Sequence, residues 1–338
     1  MPVGSQEKST TVQCVTMGNL QLDVKKETER ICETIRQMMV KVKRRGAVIG
    51  LSGGIDSSVT AALCARAAGK EKVLGILMPE IHSASESSSL GKKVADALGI
   101  EVTVHNITPI LEAAGCYSSQ TQAIQSVIPE YRQGFPFKIV LPQISNIYRV
   151  FSLVVQMPDG TSRKERMSHQ AYLQLVAATN FKQRIRKMLE YYHADRLNYL
   201  VAGSPNRLEY DQGFFVKNGD GSADIKPIAH LYKSQVYQMA EYLGIPEEIR
   251  KRPPTTDTYP MEQSQEEFYF SLPYQKMDLC LYAKNNGYSP ESVCEATGLT
   301  HEQCSAVFAD IDNKRKTTQY LHLKPHLVES ISEISYEI

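Results

Sequence analysis

Apolar residues recur at helical spacing over Val24, Ile31, Ile35, Met38 and Val42, and a basic turn and Gly46 follow. That spacing predicts a helix with a glycine stop. Residues 47–51 form a short unbroken apolar run, the pattern of a strand buried on both faces. An Ala-rich stretch over 57–68 ending at Gly69 predicts a helix, and 73–78 a second apolar strand. Leu90, Val94 and Leu98 mark another helix closed by Gly99, and 101–107 alternates as a third strand. Further on, 198–201 is a short apolar strand and 236–243 a helix ending at Gly244. Strand and helix in alternation predict an α/β fold, a doubly wound parallel sheet with right-handed crossovers. Ligands in such sheets sit beyond the carboxyl ends of the strands.

Between Ile107 and Asn180 the pattern changes. Residues 137–141 and 150–156 are strand-like, and Pro158-Asp159-Gly160 is a hairpin turn signal ahead of 161–166. The expectation is a β-hairpin insertion over the active site or at a dimer interface. Toward the end, 291–296 and 301–311 predict two short helices, with Ser289 and Thr300 as caps. The chain is thus expected to hold a flexible N-terminus (1–22), one catalytic domain (23–278) with an insertion at about 115–168, and a helical C-terminal extension (279–338).

Composition narrows the class. Hydrophobic residues make up 42% and charged residues 22%, with Lys+Arg 38 against Asp+Glu 37 and a net charge of +1. Nothing in that balance supplies the basic footprint that nucleic-acid binding needs. No apolar run approaches the ~20 residues of a membrane span. Residues 1–16 are polar, without the apolar segment of a secretory signal. Seven cysteines are scattered with no C-x-x-C pair, which argues against a zinc site or disulfide framework and for the cytoplasm.

The chemistry begins in the loop after the first strand, Ser52-Gly53-Gly54-Ile55-Asp56-Ser57-Ser58. Two glycines let the backbone turn tightly and present N–H groups to an anion. Ser57 and Ser58 are candidate caps of the helix, whose N-terminus carries partial positive charge. The result is a phosphate cradle, without the Gly-Lys-Ser/Thr of a Walker loop. A carboxylate such as Asp56 beside phosphate calls for a divalent cation between them. The bland alternatives are a glycine turn with an N-cap for Asp56, a surface carboxylate for Glu209 and, for Lys233 taken alone, a solvated helix residue. Against the first, five fixed residues in one loop seldom match by chance.

The loop resembles the signature of the PP-loop ATP pyrophosphatases, which cleave ATP to AMP and pyrophosphate. An ordered series follows: Asn180-Phe-Lys-Gln-Arg184, Gly203-Ser-Pro-Asn-Arg-Leu-Glu209, Gly213 to Lys217, Gly219 to Asp224, Leu231-Tyr-Lys233, Pro254-Thr-Thr-Asp257, Glu266-Glu267, Tyr274 and Asp278. Order and spacing together resemble the NAD synthases, from about Ile31 to Lys316. The resemblance implies an ATP-dependent ligase that adenylates the carboxylate of nicotinic acid adenine dinucleotide and amidates it with ammonia, giving NAD, AMP and pyrophosphate. It implies that Gly50, Leu51, Ser52, Gly53, Gly54, Ile55, Asp56, Ser57, Ser204, Lys233 and Thr255 bind ATP. Asp56 and Glu209 would hold Mg²⁺, and Asp56 and Lys233 would be the catalytic pair. Asn180, Arg184, Lys217, Asp224, Asn313 and Lys314 would contact the dinucleotide. A homodimer is implied too.

Departures from the family are the long insertion, Glu266 in place of an Asp, and Asn313 in place of a His. They leave open a paralogue that activates another carboxylate, and a nucleotide-binding regulator without catalysis. Little chain lies outside the synthase-like region, so the expected nitrogen source is free ammonia or a separate glutaminase.

Overall fold

The computed structural model describes residues 14–83, 85–140, 151–255 and 258–333. Helix α1 (Val24–Lys41) leads into strand β1 (Ala47–Gly50), helix α2 (Ile55–Ala68), strand β2 (Val73–Leu77), helix α3 (Ser85–Leu98) and strand β3 (Glu101–Val104). Helices α4 (Thr108–Ala113) and α5 (Cys116–Gln125) precede an antiparallel set of strands, β4 (Phe137–Val140), β5 (Ser152–Gln156) and β6 (Ser162–Arg166). The long helix α6 (His169–Leu197) returns the chain to strand β7 (Leu200–Val201), followed by helices α7 (Arg207–Gln212), α8 (Lys233–Tyr242) and α9 (Glu247–Lys251). Helices α10 (Tyr274–Asn285), α11 (Cys294–Thr297) and α12 (His301–His322) complete the described chain.

The central sheet has the order β3-β2-β1-β7, and every pair is parallel. Strand alternation decides which face each residue serves. Ala47 and Ile49 of β1 pack with α1, α2 and α8, whereas Val48 faces the other way, toward residues of α6. α2 is buried nearly all round, as its apolar composition requires for a helix wedged against a sheet. The expected doubly wound α/β architecture is therefore present.

The insertion folds as expected, in the order β4-β5-β6, with Gly160 in the left-handed region at the turn between β5 and β6. Its core, Phe137, Leu153 and Val155, packs on Leu175 of α6 and on Tyr259. The outer strand β6 is exposed throughout and rich in charge, which blunts an open sheet edge.

Several expectations need correction. The N-terminus was expected to be flexible over 1–22, yet from residue 14 it is docked. Val15 and Leu20 are buried against the C-terminal helices, and the Val15 N–H donates to the Ser292 carbonyl at 2.8 Å. The helix expected over 301–311 runs on to His322, because no glycine or proline interrupts it and Lys314 pairs with Asp310 one turn back. The single helix expected over 291–296 is a 3₁₀ turn, Pro290–Val293, followed by α11, and Ser289 makes no side-chain cap. Helix α10 runs straight across the expected boundary at 278/279. Residues 1–13, the strand ends Leu141 and Val150, and Asp257 lie outside the described residues.

Candidate active site

The loop after β1 does what its glycines predict, with one change. Gly53 has φ +74°, and a Cβ there would lie 2.6 Å from the Ser87 carbonyl oxygen and 2.9 Å from Leu90 Cβ. Only glycine allows α3 to approach this closely. The cap of α2 is Gly54 rather than Ser57 or Ser58. Those two hydroxyls lie inside the first turn and donate back to the Gly54 carbonyl, at 3.1 and 2.8 Å. With no capping side chain, the first amides of α2 are left to an anion. The Ser52 hydroxyl accepts from the Gly54 N–H at 3.2 Å and lies 3.1 Å from the Ser57 hydroxyl, which tightens the turn.

Asp56, in the first turn of α2, meets groups from far along the chain. One carboxylate oxygen accepts from the Lys233 ammonium and the other from the Asn206 side-chain amide at 3.1 Å. Asn206 also caps α7, and its own N–H donates to Glu209 at 3.1 Å in a reciprocal capping box. Gln265 donates to the other Glu209 oxygen at 3.0 Å. Burial, and then the negative charge of Asp56, push the Glu209 carboxyl up to about 8. Burial alone would pull the Lys233 ammonium down, but Asp56 and Glu209 outweigh it and hold it up. Two carboxyl groups and one ammonium thus share one partly buried spot with hard oxygen donors, and a cation arriving there would favour the ionised form of Glu209. Among the described residues no three His, Cys, Asp or Glu side chains are grouped so that they could hold a metal ion by themselves. A cation here would complete its shell with ligand oxygens and water.

Asp56 and Glu209 line a cavity of about 820 Å³ beyond the carboxyl ends of β1 and β7. Gly50, Leu51, Ser52, Gly54, Ile55, Asp56, Ser57, Ser204, Glu209 and Thr255 line it, as do Asn180, Arg184, Lys217 and Lys314. Four expected residues do not. Gly53 is turned onto α3. Lys233 is 2% exposed and lies behind Asp56, reaching the cavity only through that carboxylate. Asp224 accepts from the Val201 N–H at 2.7 Å and from the Tyr191 hydroxyl at 3.2 Å, so it serves the end of β7. Asn313 is exposed on α12, one position before Lys314. Lys314 itself donates to the Tyr269 carbonyl at 2.7 Å, and Lys217 to those of Tyr320 and Leu323 at 2.8 and 3.2 Å.

Sequence reasoning assigned no role to Asn206, Gln265, Asp278 or Lys182. Asn206 was detectable, since Asn-x-x-Glu is a capping-box pattern. Asp278 accepts from the N–H groups of Lys233 and Ser234 at 3.1 and 2.6 Å, so a carboxylate on α10 caps α8 and fixes Lys233. Phe151 and Tyr172, stacked with centroids 4.0 Å apart, bring the insertion into the cavity wall.

Comparison with known proteins shows what the chain is similar to. The profile of the NAD synthase family matches residues 27–131 and 140–320. An NH(3)-dependent NAD(+) synthetase of Mesorhizobium japonicum is 57% identical over 317 residues, covering 93% of this chain and 99% of that protein. One from Thermotoga neapolitana is 35% identical, covering 78% and 86%. The solved NH3-dependent NAD synthetase of Campylobacter jejuni, in complex with nitrate, aligns with a TM-score of 0.61 at 25% identity over 91% of this chain and 100% of that one. The NMN synthetase of Francisella tularensis shares the fold, with a TM-score of 0.64 at 22% identity over 92% and 100%.

Proposed function

Because this chain belongs to the NAD synthase family, we propose that it adenylates the carboxylate of nicotinic acid adenine dinucleotide with ATP and amidates it with ammonia. The observation that carries the reading is the Asp56, Glu209 and Lys233 group beside the uncapped N-terminus of α2, with both carboxyl groups lining a cavity of about 820 Å³.

A carboxylate is a poor electrophile and must be activated first. Its oxygen attacks the α-phosphorus of ATP and pyrophosphate leaves. Ammonia then attacks the acyl carbon and AMP leaves. No protein nucleophile takes part, so the burden is to hold two anionic substrates in line and stabilise charge on phosphate. The amides of the 52–57 loop face the polyphosphate, and the hydroxyls of Ser52, Ser204 and Thr255 orient it. Asp56 and Glu209 would hold Mg²⁺, which when bound supplies positive charge to the phosphate oxygens. Lys233 keeps this pair of carboxylates compatible in one buried site. Arg184, Lys217, Lys314 and Asn180, along the cavity wall, carry the dinucleotide.

Two parts rest on the resemblance more than on geometry. One is a homodimer, checked by light scattering. The other is a cytoplasmic location, with which the free cysteines agree. Purified protein decides the reaction. AMP release dependent on both nicotinic acid adenine dinucleotide and ammonium supports it, whereas ATP turnover only with another acid overturns the substrate. Glutamine serving as well as ammonium in pure enzyme overturns the direct use of ammonia.

A further inference from the structure

Along α6, Tyr172, Val176, Asn180, Arg184, Lys187 and Glu190 line the cavity, and their spacing of three or four puts them on one helical stripe. The stripe starts apolar and ends on an ion pair. Lys187 is 5% exposed and Glu190 6%, and the ammonium donates to Glu190 Oε2 at 2.6 Å. A Cβ on Gly50 would lie 2.9 Å from Glu190 Oε1, so the pair stands against the carboxyl end of β1, just before Ser52. Only a residue without a side chain lets the carboxylate come so close.

Two buried lysines on this helix differ in one respect. Lys182 fills all three of its donors, with Glu80 Oε1 at 2.9 Å, His82 Nδ1 at 3.1 Å and the Thr258 carbonyl at 3.0 Å. His82 can accept because burial, and then the Lys182 charge, push its imidazole down to about 4. Lys187 has, among the described residues, one hydrogen-bond acceptor for three N–H groups. Asp220 feels the Lys187 charge, but its carboxyl accepts instead from the Val216 N–H at 2.7 Å. Charged donors buried without acceptors are costly. The cavity that these donors border is the one read above as holding two anionic substrates.

We propose that the Lys187 ammonium binds an anionic oxygen of a substrate, phosphate or carboxylate, with Glu190 as the positioning residue that holds it at the cavity wall. The inference rests on the function proposed above, since it needs an anionic substrate in this cavity. With one N–H taken by Glu190, two remain for charge-assisted bonds to such an oxygen. The oxygen belongs either to the polyphosphate of ATP or to the dinucleotide, and the binding of each ligand alone tells the two apart.

Calorimetry on the full chain titrates ATP with Mg²⁺, and separately nicotinic acid adenine dinucleotide, so no turnover is needed. The variant carrying both Lys187→Met and Glu190→Gln removes the ammonium without leaving a lone buried charge. It is expected to bind one of the two ligands roughly 10- to 100-fold more weakly, and the other as the unaltered protein does. Weaker ATP binding assigns the oxygen to the polyphosphate, and weaker dinucleotide binding assigns it to the dinucleotide. A merely structural pair would leave both affinities unchanged or weaken both by a like factor, and either result overturns the proposal. Glu190→Gln alone keeps the ammonium but loosens it, so it should weaken the same ligand by a smaller factor. It decides by the same rule if the double variant does not fold. If the unaltered protein binds ATP but not the dinucleotide, the substrate proposed above fails instead. The ATP titration alone then tests Lys187: weaker binding in the variant supports the subsite, and unchanged binding rejects it.

Discussion

Asp56 carries two roles that pull in opposite directions. Its carboxylate must face the phosphates, yet it shares a partly buried spot with Glu209, and Lys233 supplies the positive charge that offsets the pair. Removing that ammonium leaves Asp56 and Glu209 unbalanced and frees Asp56 from its place beside the phosphates, a loss comparable to that of one preorganised group, typically about 10²–10³ in rate. Lys233→Met is therefore expected to lower kcat/KM for AMP formation by about that factor. Steady-state assays on folded variant, verified by circular dichroism, check it. A residual rate near that of the unaltered protein would mean that Lys233 is merely buried. His82 yields a prediction with a definite sign. Its folded value of about 4 lies below the ordinary 6.5, so the unfolded chain binds the extra proton between those values. The stability that neutral His82 contributes is complete above pH 6.5 and is lost as pH falls toward 4. Between pH 7.5 and 5 this amounts to roughly 2 kcal/mol. Urea midpoints of the protein and of His82→Gln at the two pH values should differ accordingly, the variant losing less on acidification. None of these couplings is legible locally. Lys182 and Glu80 are 102 positions apart, and Lys233 and Asp56 are 177 apart, so sequence shows the ionisable groups without showing which pairs meet.

Elements set where these residues can stand. Strand β1, the Gly53 turn and α2 were readable from sequence because each signal is local: an apolar run, a glycine pair and an alanine-rich helix. The cap lies earlier than the favoured cap residues Ser57 and Ser58 suggest, because Gly54 has the extended backbone of a cap directly after the tight turn at Gly53, where α3 approaches closely. Gly53→Ala tests that approach. It forces a left-handed φ on alanine and drives a methyl into the Ser87 carbonyl, so stability should fall by at least about 1–2 kcal/mol. ATP binding followed by calorimetry should weaken with it. The insertion strands were also readable, with a place over the active site or at a dimer interface left open. Ile139 of β4, Phe151 and Tyr172 line the cavity wall, and that depends on packing against Tyr259. Phe151→Ala removes the ring stacked on Tyr172 and opens that wall. The expected result is a raised KM for the dinucleotide with kcat changed less, read from initial rates at saturating ATP.

At the scale of the whole molecule, the N-terminal segment and the C-terminal helices are one structural body rather than appendages of the sheet domain. Leu20 is fully buried among residues of α10 and α12, and Gln238 of α8 clamps the same segment. The Gln238 side chain accepts from the Leu22 N–H and donates to the Leu20 carbonyl, both at 3.0 Å. α8 begins with Lys233, and α10 supplies the Asp278 that caps it. The position of the ammonium behind Asp56 thus depends on contacts that run from residue 15 to residue 311. Polar composition made residues 1–22 look like a tail, because two buried side chains in a short segment leave no periodicity to detect. Leu20→Ala leaves a cavity at this junction and should cost about 2–4 kcal/mol. Differential scanning calorimetry should show one transition shifted down if the junction binds the whole chain together. Two separated transitions, with the sheet domain melting as before, would show that the C-terminal helices fold on their own. In the first case AMP formation should fall as well, because the same cluster holds α10 and, through Asp278, the start of α8 where Lys233 stands.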